Sequence, residues 1–480
     1  MRRSGAKRFA LGWLVLAIGC GGAHPTIRPR PDDRPGPVDP EVAHLPNVRG
    51  HFIPDEVFGG TMYVLTAGPG RRAAPAPPLF LVHGLGDMAG RDFYPLLPAL
   101  AQTRPVVLFD LPGFGRSGRA NAQYTPDRYA TVLSRVIARY ADGPVDVLGH
   151  SMGGAVALLH AATYPYQVRR LVVIDAAGIL NHEALVSHHI HRATDPTGRF
   201  FPKLAEWALD KAASVMDESR KLDAATELIM QFGPLRQQVL RGDPGTIAAL
   251  GLVLQNFGPA LGQIQAPTTL IWGSEDNVAP LRTGQLLVDR LPRAQLTVLE
   301  GVGHDPMEEA PDRLLPPIQH HLTAAERDLF PPVPIAALTA HPDGACQGQA
   351  DVRFGPGVYG TIVLEDCARA VLDGVHVGKL IVRRSSVKAV HAVITDGVVA
   401  QASELMMTGG RVSGAVALDA DDSQLDLAGV ALTVTEQPYR LAAGSRLLFS
   451  VCPLQTPTGV TYLQGFYGAP APSAAAAPRP

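Results

Sequence analysis

Val145-Asp146-Val147-Leu148-Gly149-His150-Ser151-Met152-Gly153-Gly154 runs from a short apolar stretch, through Gly-x-Ser-x-Gly, into the helix-forming segment Ala155 to Thr163. A brief, nearly continuous apolar run predicts a strand buried on both faces of a mainly parallel sheet. A serine on a sharp strand-to-helix turn has room only if the residues two before and two after it are small. Gly149 and Gly153 meet that condition. The helix that follows aims its free N–H groups and positive dipole end at the serine, which favours developing negative charge. Ser151 is expected to be a nucleophile.

Working outward, the same kind of strand recurs at Thr61–Thr66, Leu79–Val82, Pro105–Phe109, Leu171–Ile174, Thr269–Trp272 and Leu296–Leu299. Helical stretches such as Asp127–Tyr140 and Gly153–Tyr164 lie between them. This alternation predicts an α/β fold, a doubly wound and mainly parallel sheet, over residues 51–330. One gap breaks the rhythm: after Asp175 no strand is expected before Thr269. The intervening amphipathic helices, about residues 180–261, are expected to form a cap over a pocket.

Two later strands end on groups that complete the chemistry. Thr269 to Trp272 leads into Gly273-Ser274-Glu275-Asp276, and Leu296 to Leu299 leads into Glu300-Gly301-Val302-Gly303-His304. Ligands in such sheets sit at the carboxyl ends of the strands, where Ser151, Asp276 and His304 all fall. His304 would accept the Ser151 proton and return it to the leaving group. Asp276 would fix the imidazole tautomer and stabilise the imidazolium. Asp175, at the end of the preceding strand, is an alternative acid, whereas Glu275 lies one residue early and would point elsewhere. His83 is expected to be a structural hydrogen-bonding residue.

With these motifs in order, residues 51–325 resemble the α/β-hydrolase fold superfamily, in the capped serine hydrolase branch that includes esterases, C–C bond hydrolases and cofactor-free haloperoxidases. Phe109-Asp110-Leu111-Pro112-Gly113-Phe114-Gly115-Arg116-Ser117 and Gly303-His304-Asp305-Pro306-Met307-Glu308 also match segments of that branch. The resemblance implies that Leu79-Phe80-Leu81-Val82-His83-Gly84-Leu85-Gly86 carries the oxyanion loop. The backbone N–H groups of Leu85 and Met152 would then hold the tetrahedral oxygen. A serine at the nucleophile position sets aside epoxide hydrolase and haloalkane dehalogenase chemistry, which use aspartate there. Met152 in place of tryptophan argues against prolyl aminopeptidases. Phe200, Trp207 and Phe232 in the cap suit an apolar substrate pocket, although packing of cap helices explains such residues equally well. His182, His188, His189 and His191 lack accompanying carboxylates or cysteines, so no metal site and no cofactor is expected.

The ends of the chain carry other signals. Arg2, Arg3, Lys7 and Arg8 precede the apolar run Phe9–Gly19, which is too short to span a bilayer and suits a signal peptide at residues 1–19. Ala17-Ile18-Gly19-Cys20 resembles a bacterial lipobox, with Leu16 one place early. This implies lipidation at Cys20, a membrane-anchored lipoprotein and an extracytoplasmic address; an ordinary secretory or periplasmic signal is the alternative. Residues 20–50 read as a Pro-rich linker. A second joint at 331–345 precedes a β-rich region at 346–466, followed by an Ala/Pro-rich tail at 467–480. Val371-Leu372-Asp373-Gly374-Val375 and Val393-Ile394-Thr395-Asp396-Gly397-Val398 recur about 23 residues apart. That echo suggests a C-terminal all-β domain, a short parallel β-helix or else a β-sandwich. Cys346, Cys367 and Cys452 allow one disulfide, and the spacing does not choose the pair.

Composition excludes some partners. A formal net charge of −2 over 480 residues, with no basic stripe, argues against nucleic acid. The expected activity is hydrolysis of esters or thioesters of small to medium hydrophobic acids. The competing expectation is a catalytically degenerate surface binding or adhesive protein whose β-rich region does the work.

Overall fold

The computed structural model describes residues 33–69, 76–180, 228–330 and 338–469. The N-terminal domain is built on a nine-stranded sheet with the order β1-β2-β3-β5-β4-β6-β7-β8-β9. Its strands are β1 (Arg34–Gly36), β2 (Arg49–Pro54), β3 (Thr61–Ala67), β4 (Leu79–Val82), β5 (Val106–Phe109), β6 (Val145–His150), β7 (Val168–Ile174), β8 (Thr268–Gly273) and β9 (Ala294–Leu299). Strands β4 to β9 pair in parallel, and β1, β2 and β3 add an antiparallel edge. Every residue of β4, β5, β6 and β8 is buried, which is why these strands read as nearly continuous apolar runs.

The sheet starts earlier than the expected linker at 20–50 allows. β1 pairs with β2 through Arg34–Phe52 and Gly36–Gly50. Arg139 Nε donates to Asp33 at 2.9 Å, while Tyr94 Oη and Arg116 Nη2 donate to Asp39 at 2.7 and 2.5 Å. Residues 33–50 therefore belong to the folded body and not to an extended tether. Their proline content and short edge pairing gave no apolar alternation to detect.

Three helices are described within the expected cap, at Gly233–Val239, Pro244–Leu254 and Gly258–Leu261. Met230, Ile247, Phe257 and Leu261 join the main hydrophobic core, so this part of the segment packs on the sheet domain.

The C-terminal region is a second, all-β domain whose fourteen strands run from Gly344 to Gly468. Apart from the final antiparallel hairpin, Arg446–Thr456 with Gly459–Gly468, its strands pair in parallel. Parallel pairing is not that of a β-sandwich. Gly357 faces Val375, Ser386 faces Glu404 and Gln424 faces Arg446, so the register advances by 18 residues and widens to 22. The 23-residue echo was misleading: Asp373 faces Val390, not Asp396. The two Asp-Gly turns occupy different corners.

The true repeat is marked by a column of serines. The N–H of Cys367 donates to Ser385 Oγ at 2.8 Å, Ser385 to Ser403 at 3.1 Å, Ser403 to Ser423 at 3.1 Å and Ser423 to Ser445 at 3.4 Å. Ser385, Ser403 and Ser423 each pass the bond on to the carbonyl two residues earlier. The column satisfies buried corner N–H groups that no strand ladder can reach. Cys346 and Cys367 form a disulfide at the start of the stack, and Cys452 is a buried free thiol.

The two domains pack against each other, although the second keeps a hydrophobic core of its own. The helix Leu281–Arg290 packs on the strands of the second domain, and Ala428, Leu448 and Val451 join the hydrophobic cluster of the first. Arg282 donates to both carboxylate oxygens of Asp426, at 2.6 and 2.9 Å, to Thr408 Oγ1 at 2.9 Å and to the Met407 carbonyl at 3.0 Å. Asp289 Oδ2 accepts from the Gly410 N–H at 2.5 Å and pairs with His391 Nδ1 at 3.0 Å. Arg282→Ala leaves these acceptors at the interface without their cation. It should cost about 2 to 3 kcal/mol in urea unfolding, and truncation after Phe330 should lower stability further. Unchanged unfolding of both variants would show the domains to be independent.

Candidate active site

β6 delivers its last residue, His150, straight into the Ser151 turn. Ser151 adopts φ 54° and ψ −122°, outside the regions an L-residue ordinarily occupies. The turn is held by the Ser151 N–H, which donates to the Ile174 carbonyl of β7 at 3.0 Å. It is also held by close approach. A Cβ on Gly153 would collide with the carbonyl oxygens of Val82 and His83, and one on Gly149 with the Gly153 carbonyl. The helix Met152–Thr163 therefore starts against the end of β4.

The three sequence-predicted side chains meet. His304 Nε2 lies 2.9 Å from Ser151 Oγ, and His304 Nδ1 lies 2.7 Å from Asp276 Oδ2. Asp276 is buried, and its Oδ1 accepts the N–H groups of Val278 at 2.7 Å and Ala279 at 2.9 Å. These backbone donors hold the carboxylate in one rotamer. Glu275 is exposed, and Asp175 bonds to the Gly273 N–H at 2.8 Å instead of to His304.

The expected oxyanion loop lies beside the serine. Gly84 packs against the Ser151 Cβ, and Leu85 follows it, partly buried against the core. His83 is buried; its Nε2 accepts the Leu111 N–H at 2.8 Å and its Nδ1 bonds the Gly84 carbonyl at 2.7 Å. Asp110 links the same loops, accepting from Gly90 N–H at 3.0 Å and Arg116 N–H at 2.8 Å. These two side chains explain the Phe109–Ser117 motif, which fastens the glycine-rich loop without touching the serine. Met152 is the first residue of its helix, where N–H groups have no intrahelical acceptor.

His150 went unnoticed in the sequence, because only the fold shows what its ring touches. Its Nε2 lies 2.8 Å from the His304 carbonyl. Burial, reinforced by His304, pushes the His150 ring down to about 3. It is therefore neutral, and it donates Nε2–H to hold the His304 backbone. Asp92 is pushed up to about 7 by burial and by Asp305 and Glu308, and burial also raises Asp305.

Cys20, Phe200, Trp207 and the histidines at 182–191 lie outside the described residues. Phe232 precedes the helix Gly233–Val239 and keeps 52% of its surface exposed. The structure presents it at the surface.

The alpha/beta hydrolase family model matches residues 79–316. A 2-hydroxymuconate semialdehyde hydrolase of Pseudomonas sp. is 31% identical over 244 residues, covering 47% of this chain and 80% of that protein. Lipase 1 of Psychrobacter immobilis is 28% identical over 240 residues, covering 49% of this chain and 73% of the lipase. An uncharacterized protein of Mycobacterium tuberculosis is 26% identical over 301 residues, covering 59% of this chain and 86% of that protein. The chain belongs to the alpha/beta hydrolase family.

Gly153→Ala tests the close approach at the turn. The added methyl meets backbone that cannot rotate away, so the variant should lose at least about 3 kcal/mol of stability or fail to fold. A wild-type melting curve would contradict the packing described.

Proposed function

We propose that this protein is a serine hydrolase that cleaves esters or thioesters of small to medium hydrophobic acids through an acyl-enzyme on Ser151. The observation that carries the reading is the continuous hydrogen-bonded relay from Ser151 Oγ through His304 to buried Asp276. His304 Nε2 takes the Ser151 proton as Oγ attacks the carbonyl carbon. The imidazolium so formed is stabilised by Asp276 and returns the proton to the departing alcohol or thiol. Water then repeats the sequence to release the acid. The backbone N–H groups of Leu85 and Met152 are the oxyanion donors in this reading; loss of one such donor costs about 3 to 4 kcal/mol of transition-state stabilisation in known enzymes.

Lipase 1 supports the same ester chemistry. A second reading, C–C bond hydrolysis, is favoured by the identity to 2-hydroxymuconate semialdehyde hydrolase.

The remaining domain and address follow as parts of the proposal. The second domain is a short parallel β-helix with a structural or adhesive role, supported by its advancing parallel register and serine column. The protein works outside the cytoplasm, anchored through lipidated Cys20. The Cys346–Cys367 disulfide supports an oxidising compartment.

A fluorophosphonate probe should label the wild type and fail to label Ser151→Ala, whose ester turnover should fall at least about a thousandfold. In a panel of 4-nitrophenyl esters of graded length, short to medium acyl chains should be preferred. Folded wild type that takes no label would favour the binding-protein alternative. Turnover of 2-hydroxymuconate semialdehyde without turnover of esters would favour C–C hydrolysis.

A further inference from the structure

Asp175 follows β7, the strand beside the one that leads to Asp276. Its side chain is fully buried, and its backbone is held at φ 45°. The Asp175 N–H donates to the Ile271 carbonyl at 3.1 Å, and Oδ1 accepts the Gly273 N–H at 2.8 Å. Both bonds tie the residue to β8, five and three residues ahead of Asp276. The other oxygen, Oδ2, is buried and receives no N–H or O–H. The Asp276 N–H donates to the carbonyl of the same Gly273 at 3.4 Å, and the neighbouring Asp276 carboxyl raises that of Asp175 through its charge and a side-chain hydrogen bond.

Two acceptors in contact require a proton between them. Asp276 already accepts three hydrogen bonds, from Val278 N–H, Ala279 N–H and His304 Nδ1. Asp175 has one such bond and lies out of reach of water. Two buried carboxylates in contact do not both ionise, so the proton resides on the less solvated partner.

We propose that Asp175 is a positioning residue for the Asp276–His304 pair: a neutral carboxylic acid whose O–H donates the fourth hydrogen bond to the Asp276 carboxylate. This rests on the serine hydrolase reading above. Burial pushes the Asp175 carboxyl well above the ordinary carboxylate range. The negative charge of Asp276 adds to this and that of Asp305 adds further, while the Gly273 N–H acts in the opposite direction. The neutral acid locks the Asp276 rotamer and leaves the site with one negative charge behind His304. A second would bias His304 towards imidazolium, which cannot accept the Ser151 proton.

The same proton links folding to pH. Asp175 is protonated in the folded chain and ionised in the unfolded chain at neutral pH, so the unfolded state binds fewer protons. Stability then falls as pH rises above the ordinary carboxylate value and towards the raised one.

The test compares the full-length wild type with Asp175→Ala and Asp175→Asn. Asparagine keeps an oxygen for the Gly273 N–H and places an N–H donor where the O–H was. Asp175→Ala should lower kcat for 4-nitrophenyl butyrate by about tenfold or more with little change in KM, and Asp175→Asn should recover most of that loss. The infrared difference spectrum of wild type minus Asp175→Asn should contain a protonated-carboxyl C=O band at neutral pH. Asp175→Asn should also become more stable relative to wild type as pH rises. Absence of the band and of the stability trend overturns the proposal, as does wild-type kcat in Asp175→Ala. Wild type that hydrolyses no ester and takes no fluorophosphonate label would defeat the serine hydrolase reading instead. The spectrum and the stability trend would still decide the state of Asp175.

Discussion

The strained Ser151 turn depends on three pieces of backbone approaching more closely than any side chain permits. The end of β4, the last residues of β6 and the first turn of the helix Met152–Thr163 meet where Gly149 and Gly153 leave no Cβ. A positive φ at a serine is held by its surroundings, and here β7 contributes through the Ile174 carbonyl. β6 lies between β4 and β7, so the turn sits where the parallel strands end together. The other site loops all leave the sheet at this edge.

Around that turn the fold arranges charge more than shape. Asp276 is enclosed by backbone donors, His304 bridges it to the serine, and His150 holds the His304 carbonyl. His150 performs this task because burial keeps it neutral, with one nitrogen carrying a proton to donate. His83 and Asp110 do comparable work on the opposite side, binding the glycine-rich loop to the segment after β5. Each buried polar side chain here satisfies backbone groups that would otherwise leave a loop free to move.

The second domain extends this order outward. Its serine column replaces a hydrophobic corner with a chain of hydrogen bonds that tolerates a rung of 18, 20 or 22 residues, because each bond is local to one corner. The helix Leu281–Arg290 then joins the domains. It begins shortly after the Asp276 loop, and Arg282, Leu286 and Asp289 face the second domain. The acid loop is thus continuous with an element packed between two domains.

Local signals made much of the sheet domain legible. Strands buried on both faces are mostly apolar, so β4, β5, β6 and β8 stood out, and the serine, acid and histidine followed their strands in chain order. β1 and β2 did not stand out, since edge strands with proline carry no such run. The parallel register of the second domain was misread from two Asp-Gly turns, because degenerate repeats align by strand pairing and not by the most visible dipeptide. The sequence by itself determined which residues could be nucleophile, base and acid, since small neighbours and strand ends are local requirements. The tertiary structure decided which of Asp175 and Asp276 faces His304, which cysteines pair, that residues 33–50 join the sheet and that the two domains pack against each other. Those outcomes depend on contacts between residues far apart in the chain, and chain spacing does not encode such distances.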